Sequence, residues 1–273
     1  MALKIAVMIK QVPAVDNVKI NEETGTMERE GVESELNPMD LHALEEAIRI
    51  KERDPENVRV TAVSMGPAQA EKILKGAVAM GCDDGILLSD RRFAGADTLA
   101  TARALAACVK KCGPFDLILA GERATDGETG QVAPSVAELL GQPALTYVSA
   151  IDELDTSRAT ITRAIEGGHE RIETPLPAVL SVIKEINRPR LTTLGGKLRA
   201  KKTNIPTYDA EALGLAEGDI GLKGSPTRVV KVFYPKVTRS GEKYFMAADP
   251  AAALSALTGF LADKGCIGEE AAR

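Results

Sequence analysis

Aromatic side chains are scarce in this chain of 273 residues: tryptophan is absent, and aromatic residues make up only 3% of the sequence. Proteins that bind single-stranded nucleic acid stack the bases on aromatic rings, and nucleic-acid-binding domains usually carry excess positive charge. The formal net charge here is −5 at pH 7. Both features argue against nucleic acid as a partner.

The sequence also lacks long apolar runs. No segment has the roughly 20 consecutive apolar residues that a membrane-spanning helix needs. Residues 1–4 lead directly into the first apolar run, and no signal peptide precedes that run. We therefore expect no membrane insertion and a cytoplasmic location. The hydrophobic fraction of 44% is nonetheless enough for a sizeable core.

Metal-binding and nucleophilic motifs are missing as well. The four cysteines form no CxxC pair, and the two histidines lie far apart in the sequence. This spacing fits neither the usual zinc motifs nor a dithiol centre. Cys108 and Cys112 share one helix face and are interpreted as buried thiols. We expect no metal site and no catalytic residues of the serine–histidine or cysteine–histidine kind.

What the sequence does contain is an alternation of short apolar runs with amphipathic helical patterns over the first 143 residues. Runs typical of buried strands lie at residues 4–9, 58–63, 85–88 and 115–120. Asp40 is a plausible N-cap of the first helix, and Asp97 or Thr98 of the third. Residues 16–36 are polar and indicate a hairpin or an excursion. The order predicts an α/β fold with a doubly wound, mostly parallel, Rossmann-like sheet.

The pattern changes after residue 143. Further strands are predicted at residues 144–151, 159–165, 170–174 and 177–183. Gly167-Gly168 is typical of a hairpin turn. From residue 187 the chain is basic and then loses its periodicity, until a last helix opens at Asp249-Pro250. We therefore predict an α/β domain at residues 1–186. Residues 187–273 would form an extended arm with a terminal helix, lying on another subunit.

One stretch between a strand and a helix stands out, Gly121-Glu-Arg-Ala-Thr-Asp-Gly-Glu-Thr-Gly-Gln-Val-Ala-Pro134. Helix N-termini at the ends of parallel strands present unpaired N–H groups to ligands, above all to anions. Gly127 and Gly130 permit positive φ and close approach of the backbone. A plain turn explains the same residues, with Asp126 or Thr129 as an N-cap, and the acidic side chains would repel a phosphate unless they point away. The spacing alone leaves both interpretations open.

Unusual loops follow several predicted strands, at residues 8–13, 65–67, 89–98 and 121–131. The C-terminal ends of parallel strands lie along one edge of a sheet, so these loops can converge on one nucleotide-sized ligand. Neither a GxGxxG motif nor a Walker A motif is present, and Gly195-Gly196-Lys197 is followed by leucine. These absences argue against an ATP-hydrolysing or adenylating enzyme.

Six short motifs are distributed over nearly the whole chain: Lys10-Gln-Val-Pro13, Asn37-Pro-Met-Asp40, Val63-Ser-Met-Gly-Pro67, Asp126-Gly-Glu-Thr-Gly-Gln-Val132, Arg190-Leu-Thr-Thr-Leu194 and Ala200-Lys-Lys202. In their order and spacing they resemble the β subunit of electron-transfer flavoproteins. The resemblance implies an αβ heterodimer that carries electrons between dehydrogenases and an acceptor, with one FAD in the α subunit. The β subunit would hold a second nucleotide.

The nucleotide in the β subunit differs between branches of this family. One branch holds AMP as a structural ligand, whereas an anaerobic branch holds FAD, which takes hydride from NADH and splits the electron pair (electron bifurcation). Residues 126–134, 90–98 and 224–227 resemble the anaerobic branch. By motif match the cofactor would bind at Met8, Lys10, Asn37, Pro38, Met39, Asp40, Met65, Gly66, Gly121, Ala124, Thr125, Asp126, Gly127, Glu128, Thr129, Gly130, Gln131 and Val132.

The segment after the third strand has two interpretations. It could lie near the isoalloxazine or the nicotinamide, with contacts from Asp90, Phe93, Gly95, Asp97 and Thr98. A loop that simply ends in a helix cap explains Asp97 and Thr98 equally well. FAD, with NADH as electron donor, is our expected cofactor, and AMP is the alternative.

The basic segment at residues 188–202 has three interpretations: a nucleic-acid contact, a solvated loop, or a recognition loop for a partner. The resemblance favours the third, with an acyl-CoA dehydrogenase-type flavoenzyme contacted by Arg190, Leu191, Leu194 and Lys197. A more remote alternative for the whole chain is a stand-alone nucleotide-binding or nucleotide-hydrolysing domain, which would not need an extended arm.

Overall fold

The computed structural model describes residues 2–14, 34–230 and 242–268. Its strands, in chain order, are β1 (Leu3–Met8), β2 (Gln11–Pro13), β3 (Ser34–Leu36), β4 (Val58–Met65), β5 (Asp84–Leu88), β6 (Leu117–Gly121), β7 (Ala144–Leu154), β8 (Arg158–Ile165), β9 (Gly168–Pro175), β10 (Ala178–Val182) and β11 (Thr207–Tyr208). Nine of them form one sheet in the order β11-β5-β4-β1-β6-β10-β7-β8-β9, and β2 pairs with β3 separately.

Helices cover both faces of this sheet. They are α1 (Pro38–Arg53), α2 (Glu71–Met80), α3 (Thr98–Cys112), α4 (Val132–Leu140) and α5 (Leu194–Lys202). A sixth helix, α6 (Pro250–Asp263), follows later in the chain and belongs to a separate unit. Successive β1 residues point to opposite faces. Ile5 accordingly packs in the core cluster that contains Leu44 of α1, and Ala6 packs in the cluster that contains Leu105 of α3. The strands from β11 to β7 run parallel, which confirms the predicted doubly wound, mostly parallel sheet.

The start of α1 differs from the prediction. Asn37 stands at the N-cap position and Pro38 is in the first turn, where its missing N–H costs no hydrogen bond. Asp40 is therefore not an N-cap. Its carboxylate is buried instead, where backbone donors of two other segments reach it.

The start of α4 also lies elsewhere than predicted. The helix begins at Val132, and Gln131 occupies the N-cap position without a side-chain hydrogen bond. Neither Asp126 nor Thr129 caps it, because the Asp126 carboxylate is engaged by Lys10. α4 ends at Gly141, whose left-handed φ of 66° a glycine adopts without strain.

The antiparallel part of the sheet starts within β7. Residues up to Val148 pair with β10, and the pairing with β8 starts at Val148 with register shifts. Tyr147 directly before this change has a φ of 58°, which is unusual for a residue with a Cβ atom. The β8–β9 turn consists of Glu166 and Gly167, so that Gly168 is already in the strand and the predicted Gly167-Gly168 turn is shifted by one residue.

The chain after residue 186 contains more regular structure than its sequence pattern predicted. α5 begins at Leu194, and the Thr193 hydroxyl caps it by accepting the Gly196 N–H at 3.0 Å. Gly196 also lets α5 pack closely on α2, since a Cβ atom there would lie 2.0 Å from the carbonyl oxygen of Ala79. β11 then pairs with β5 at the sheet edge. The prediction of an unpatterned segment is wrong here because two glycines near the helix start mask the helical pattern.

The chain divides into two compact units, residues 1–232 and 233–273. In the second unit, α6 begins after Asp249, whose carboxylate accepts the Ala252 N–H at 3.0 Å. This confirms the predicted terminal helix. Most of the excursion predicted at residues 16–36 lies outside the described residues. None of the helices in the described part of the chain is long and apolar enough to cross a membrane.

Candidate functional site at the carboxyl edge of the sheet

Loops after β1, β4, β5 and β6 meet at one edge of the sheet, because these strands are adjacent and parallel. Direct contacts join two of the predicted motifs there, the start of α1 and the loop at residues 122–131 between β6 and α4. We call this second segment the β6–α4 loop. The contacts come from three side chains: Asn37, Asp40 and Lys10.

Asp40 is the buried link between β1, α1 and β6. Its Oδ2 accepts the Lys10 N–H at 2.7 Å, and its Oδ1 accepts the Gly121 N–H at 3.2 Å. Only glycine fits at the end of β6, since a Cβ atom on Gly121 would lie 2.5 Å from Asp40 Oδ1. Burial raises the pKa of Asp40 to about 7, although hydrogen bonds from Asn37, Lys10 and Gly121 oppose this shift.

Asn37 fixes the first half of the β6–α4 loop. The side chain is fully buried; its Nδ2 donates to the Arg123 carbonyl at 2.9 Å, and its Oδ1 accepts the Thr125 N–H at 3.2 Å. The Asn37 backbone N–H donates to the Lys10 carbonyl at 2.9 Å. One amide side chain therefore holds the conformation of a loop 86 to 88 residues away in sequence.

Lys10 and Asp126 form an ion pair in which Nζ lies 2.6 Å from Oδ1. The Asp126 side chain is only 6% exposed, whereas that of Lys10 is 42% exposed. The sequence left open whether the acidic side chain of Asp126 would repel a phosphate bound at this loop. A lysine faces the carboxylate of Asp126, so the loop presents a neutral pair instead of an isolated negative charge beside the start of α4.

The second half of the loop exposes backbone at the start of α4. Gly130 has a φ of 64°, as predicted, but the other left-handed residue is Glu128 with a φ of 56°, not Gly127. Gly127, Glu128, Thr129 and Gln131 are exposed. The N–H groups in the first turn of a helix lack intrahelical partners, so this is a favourable place for a phosphate.

The remaining predicted cofactor residues have different environments. Met8 is 5% exposed and packs in the core cluster shared with α3 and α4. Met65 is half-buried against the same cluster, and the Gly66 N–H donates to the Leu88 carbonyl at 2.9 Å. Half-buried side chains at this edge are those of Pro38, Met39, Ala124 and Val132, whereas Thr125 is exposed.

The segment Ser89–Thr98, which we call the β5–α3 loop, is held by its own carboxylates. Asp97 is the N-cap of α3 and accepts the Leu99 and Ala100 N–H groups, each at 3.0 Å, which decides between Asp97 and Thr98. Burial acts to raise the pKa of Asp97, but hydrogen bonds, including those from Ala100 and Thr227, outweigh it and keep the pKa below its usual value.

Other residues of this loop are fixed differently. Hydrogen bonds from the Arg92 guanidinium hold the pKa of Asp90 well below its usual value, and Asp90 also accepts the Ala210 N–H at 3.1 Å. Phe93 is buried in the core, and Gly95 is exposed with a φ of 74°. The structure therefore assigns core and capping roles to Phe93 and Asp97, while Gly95 faces outward.

The predicted partner-binding residues lie on a second surface, next to α1. Arg190 donates from Nε to Glu45 at 2.8 Å and also pairs with Glu52. Leu191 and Leu194 follow directly and are 90% and 76% exposed. Lys197 is exposed on α5. Arg190 is thus an anchor that fixes the segment on α1, and the two leucines are its accessible apolar side chains.

The sequence pattern did not predict two sets of contacts that shape these surfaces. Asn187 ties the segment before Arg190 to α1, since its Nδ2 donates to the His42 carbonyl at 2.9 Å. Ser225 and Thr227, which lie after β11 in the chain, contact Asp97 at the start of α3. Ser225 Oγ accepts the Asp97 N–H, and the Thr227 N–H donates to Asp97 Oδ2. No local signal marks these contacts, because the two residues of each contact lie 145, 128 and 130 positions apart in the chain.

Comparisons with known proteins identify the family of this chain. The family model described as "Electron transfer flavoprotein domain" matches residues 24–213. The chain is 45% identical over 241 residues to the electron transfer flavoprotein subunit beta of Thermoanaerobacterium thermosaccharolyticum, covering 88% of this chain and 91% of that one. It is 45% identical over 240 residues to subunit CarD of the caffeyl-CoA reductase-Etf complex of Acetobacterium woodii, with the same coverage of 88% and 91%.

A third relative is the protein FixA of Azotobacter vinelandii, which is 44% identical over 236 residues, or 84% of this chain and 83% of that one. The chain belongs to the electron transfer flavoprotein family. Within that family it is a β subunit, and such subunits normally pair with an α subunit. This membership confirms the resemblance drawn from the sequence motifs.

Proposed function

We propose that this β subunit binds FAD at the carboxyl edge of its sheet and passes electrons from NADH to the FAD of its α subunit. The observation that carries the proposal is the set of contacts from Asn37, Asp40 and Lys10 that fixes the β6–α4 loop. A loop whose first half is held in place presents its backbone N–H groups to a ligand at a lower ordering cost.

The residues at this edge fit the parts of a dinucleotide. The first turn of α4 and the loop around Gly130 would hold the phosphates, where N–H groups and the helix dipole favour anions. Lys10, partly exposed beside Asp126, would offset the negative charge of that carboxylate near the phosphates. The β5–α3 loop would lie near the isoalloxazine or the nicotinamide. Bound FAD would supply the redox chemistry, namely hydride acceptance from NADH, and the protein would orient it and tune its potential.

One of the relatives supports the choice of this branch. The Acetobacterium woodii protein is named as a subunit of a caffeyl-CoA reductase-Etf complex. We infer flavin-based electron bifurcation or its reverse for this chain, in the cytoplasm. A structural AMP at the same edge is the second candidate, because the same phosphate contacts would serve it.

Partner contacts would use exposed apolar side chains. In the second unit, Leu254, Leu257 and Phe260 on α6 are 54 to 58% exposed, which suits packing on the α subunit. In the first unit, Leu191 and Leu194 would contact an acyl-CoA dehydrogenase-type flavoenzyme. The Arg190 anchor supports this role, since a fixed loop loses little entropy when a partner binds.

An anaerobic titration with NADH tests the proposed function. The chain is co-expressed with its α subunit, and the flavin absorbance of the purified heterodimer is followed during NADH addition. Bleaching at stoichiometric NADH is the expected result, because the β flavin would accept the hydride. A heterodimer whose flavin stays oxidised in excess NADH would contradict the proposal and favour the AMP-bearing alternative.

A further inference from the structure

The segment Ile220–Thr227, which we call the clamp, encloses the β5–α3 loop. The Thr227 N–H and hydroxyl both donate to Asp97 Oδ2, at 3.0 and 2.8 Å. The other carboxylate oxygen, Oδ1, caps α3 by accepting the Leu99 and Ala100 N–H groups. One aspartate therefore joins the start of a helix to a segment 130 residues later in the chain.

Two further contacts repeat this connection along the loop. The Asp97 N–H donates to Ser225 Oγ at 2.8 Å, and the Ser225 hydroxyl donates to the Gly221 carbonyl at 2.7 Å. The Leu222 N–H donates to the Ala94 carbonyl at 3.1 Å. The clamp thus contacts the loop on both sides of Gly95, which is the residue of the loop with a left-handed φ.

The packing between the two segments leaves almost no space. Gly221 has a φ of 55°, and a Cβ atom on it would lie 1.9 Å from the Arg92 carbonyl oxygen. Leu222 lies directly beside Gly95, since a Cβ atom on that glycine would lie 3.2 Å from Leu222 Cβ. Leu222 is nevertheless 61% exposed, so it presents an apolar surface at this point.

Helix capping alone does not account for these contacts. An N-cap needs one side-chain oxygen, which Asp97 Oδ1 provides. The second oxygen and the Asp97 N–H are both used by the clamp. Thr227 is itself exposed, so it does not serve to bury apolar surface. The contacts fix the position of the loop backbone, and this is their main physical effect.

We propose that the clamp holds the β5–α3 loop in the conformation that admits the nicotinamide ring of NADH, with Asp97 and Thr227 as positioning residues and Leu222 as an apolar wall beside Gly95. The proposal rests on the proposed function, because it assigns the clamp to the NADH reaction of the same site. It adds a part of the site that begins 89 residues after the end of the β6–α4 loop in the sequence.

The test compares Thr227→Val with Thr227→Ser in the heterodimer with the α subunit. Valine removes the hydroxyl but keeps the shape and the backbone N–H, whereas serine keeps the hydroxyl. Ser157→Ala is the matched control, since it removes a hydroxyl hydrogen bond of 2.7 Å to Asp155 in the β7–β8 turn. Hydrogen exchange of residues 89–100, FAD content, and kcat and KM for NADH are measured for each variant.

We expect exchange of residues 89–100 to be about tenfold faster in Thr227→Val, because a hydrogen bond to a carboxylate contributes about 1.5 kcal/mol. We also expect kcat/KM for NADH to fall about tenfold at unchanged FAD content, with both values restored by Thr227→Ser and unchanged in Ser157→Ala. Faster exchange with unchanged NADH kinetics would overturn the positioning role, as would unchanged exchange. A wild-type heterodimer that does not react with NADH would instead contradict the proposed function, and the role of the clamp would fail together with it.

Discussion

Lys10 Nζ lies 2.6 Å from Asp126 Oδ1, although the two residues are 116 positions apart in the sequence. The pair joins the end of β1 to the loop before α4, and it keeps the Asp126 carboxylate from acting as an isolated charge near the start of that helix. The charge at the candidate phosphate site therefore depends on a residue from another loop. This relationship leads to our first prediction.

Lys10→Ala should weaken retention of the β-subunit nucleotide, because the carboxylate of Asp126 would then face the phosphates without the lysine charge. We expect the dissociation constant to rise about tenfold, which corresponds to about 1.4 kcal/mol. Equilibrium dialysis of the heterodimer measures it. Lys10→Arg is the control and should retain the nucleotide; equal retention by Lys10→Ala would argue against the role.

Asn37→Ala should destabilise the protein by about 2 kcal/mol, since it removes two buried hydrogen bonds worth about 1 kcal/mol each. Chemical denaturation of the heterodimer gives this value. Asn57→Ala is a matched control: Asn57 is exposed and donates to Asp54 at 3.0 Å at the end of α1. We expect a change below about 0.5 kcal/mol for the control. Similar losses in both variants would contradict a special role of Asn37.

The buried carboxylate of Asp40 should make stability depend on pH. Its pKa is raised from 3.8 to about 7 in the folded chain, mainly by burial. The folded state therefore binds more protons than the unfolded state between about pH 4 and pH 7, so this group makes the free energy of unfolding fall as the pH rises through that window. Above about pH 7 its contribution should be constant.

Asp40→Asn removes this titration. The variant should be less stable overall, because its amide cannot accept both the Lys10 and the Gly121 N–H groups. The difference between wild type and variant should grow as the pH is lowered from 8 to 5. Urea unfolding at four pH values measures it, with Asp54→Asn as an exposed control. A difference that does not change with pH would show that Asp40 keeps an ordinary pKa.

Leu194→Ala should slow electron transfer to an acyl-CoA dehydrogenase-type partner by about tenfold, as expected for loss of an apolar anchor worth about 1.4 kcal/mol. Because the side chain is 76% exposed, stability and nucleotide content should stay unchanged. Stopped-flow mixing with the partner measures the rate. Val230→Ala is the control, because it truncates an apolar side chain that is 85% exposed in another part of the chain. If both variants transfer electrons at the wild-type rate, the Leu194 side chain does not contribute to partner binding.

The mostly parallel arrangement of the sheet could be predicted from the sequence, because short apolar runs alternate with helical patterns of the expected length. The same reasoning predicted that loops from different strands would lie along one edge. The individual contacts could not be predicted. Asn37 reaches Thr125 across 88 positions, and nothing in either local sequence indicates the partner.

The two helix starts show a second limit of sequence reasoning. Asp40 and Asp126 are both good N-cap residues, and each instead finds a stronger partner from another segment. Local propensity was overridden by tertiary hydrogen bonds and by an ion pair. α5 and β11 were missed for a related reason. Their stability comes from packing on α2 and pairing with β5, not from a pattern of their own.

The central claim is that the β6–α4 loop and the contacts around it hold a FAD in this subunit. The most direct measurement is the identity and amount of the nucleotides released from the purified heterodimer with its α subunit. The account predicts two FAD per heterodimer in the wild type and about one in Lys10→Ala after dialysis. One FAD with one AMP per heterodimer would contradict the FAD assignment, and one FAD with no second nucleotide would contradict the site itself.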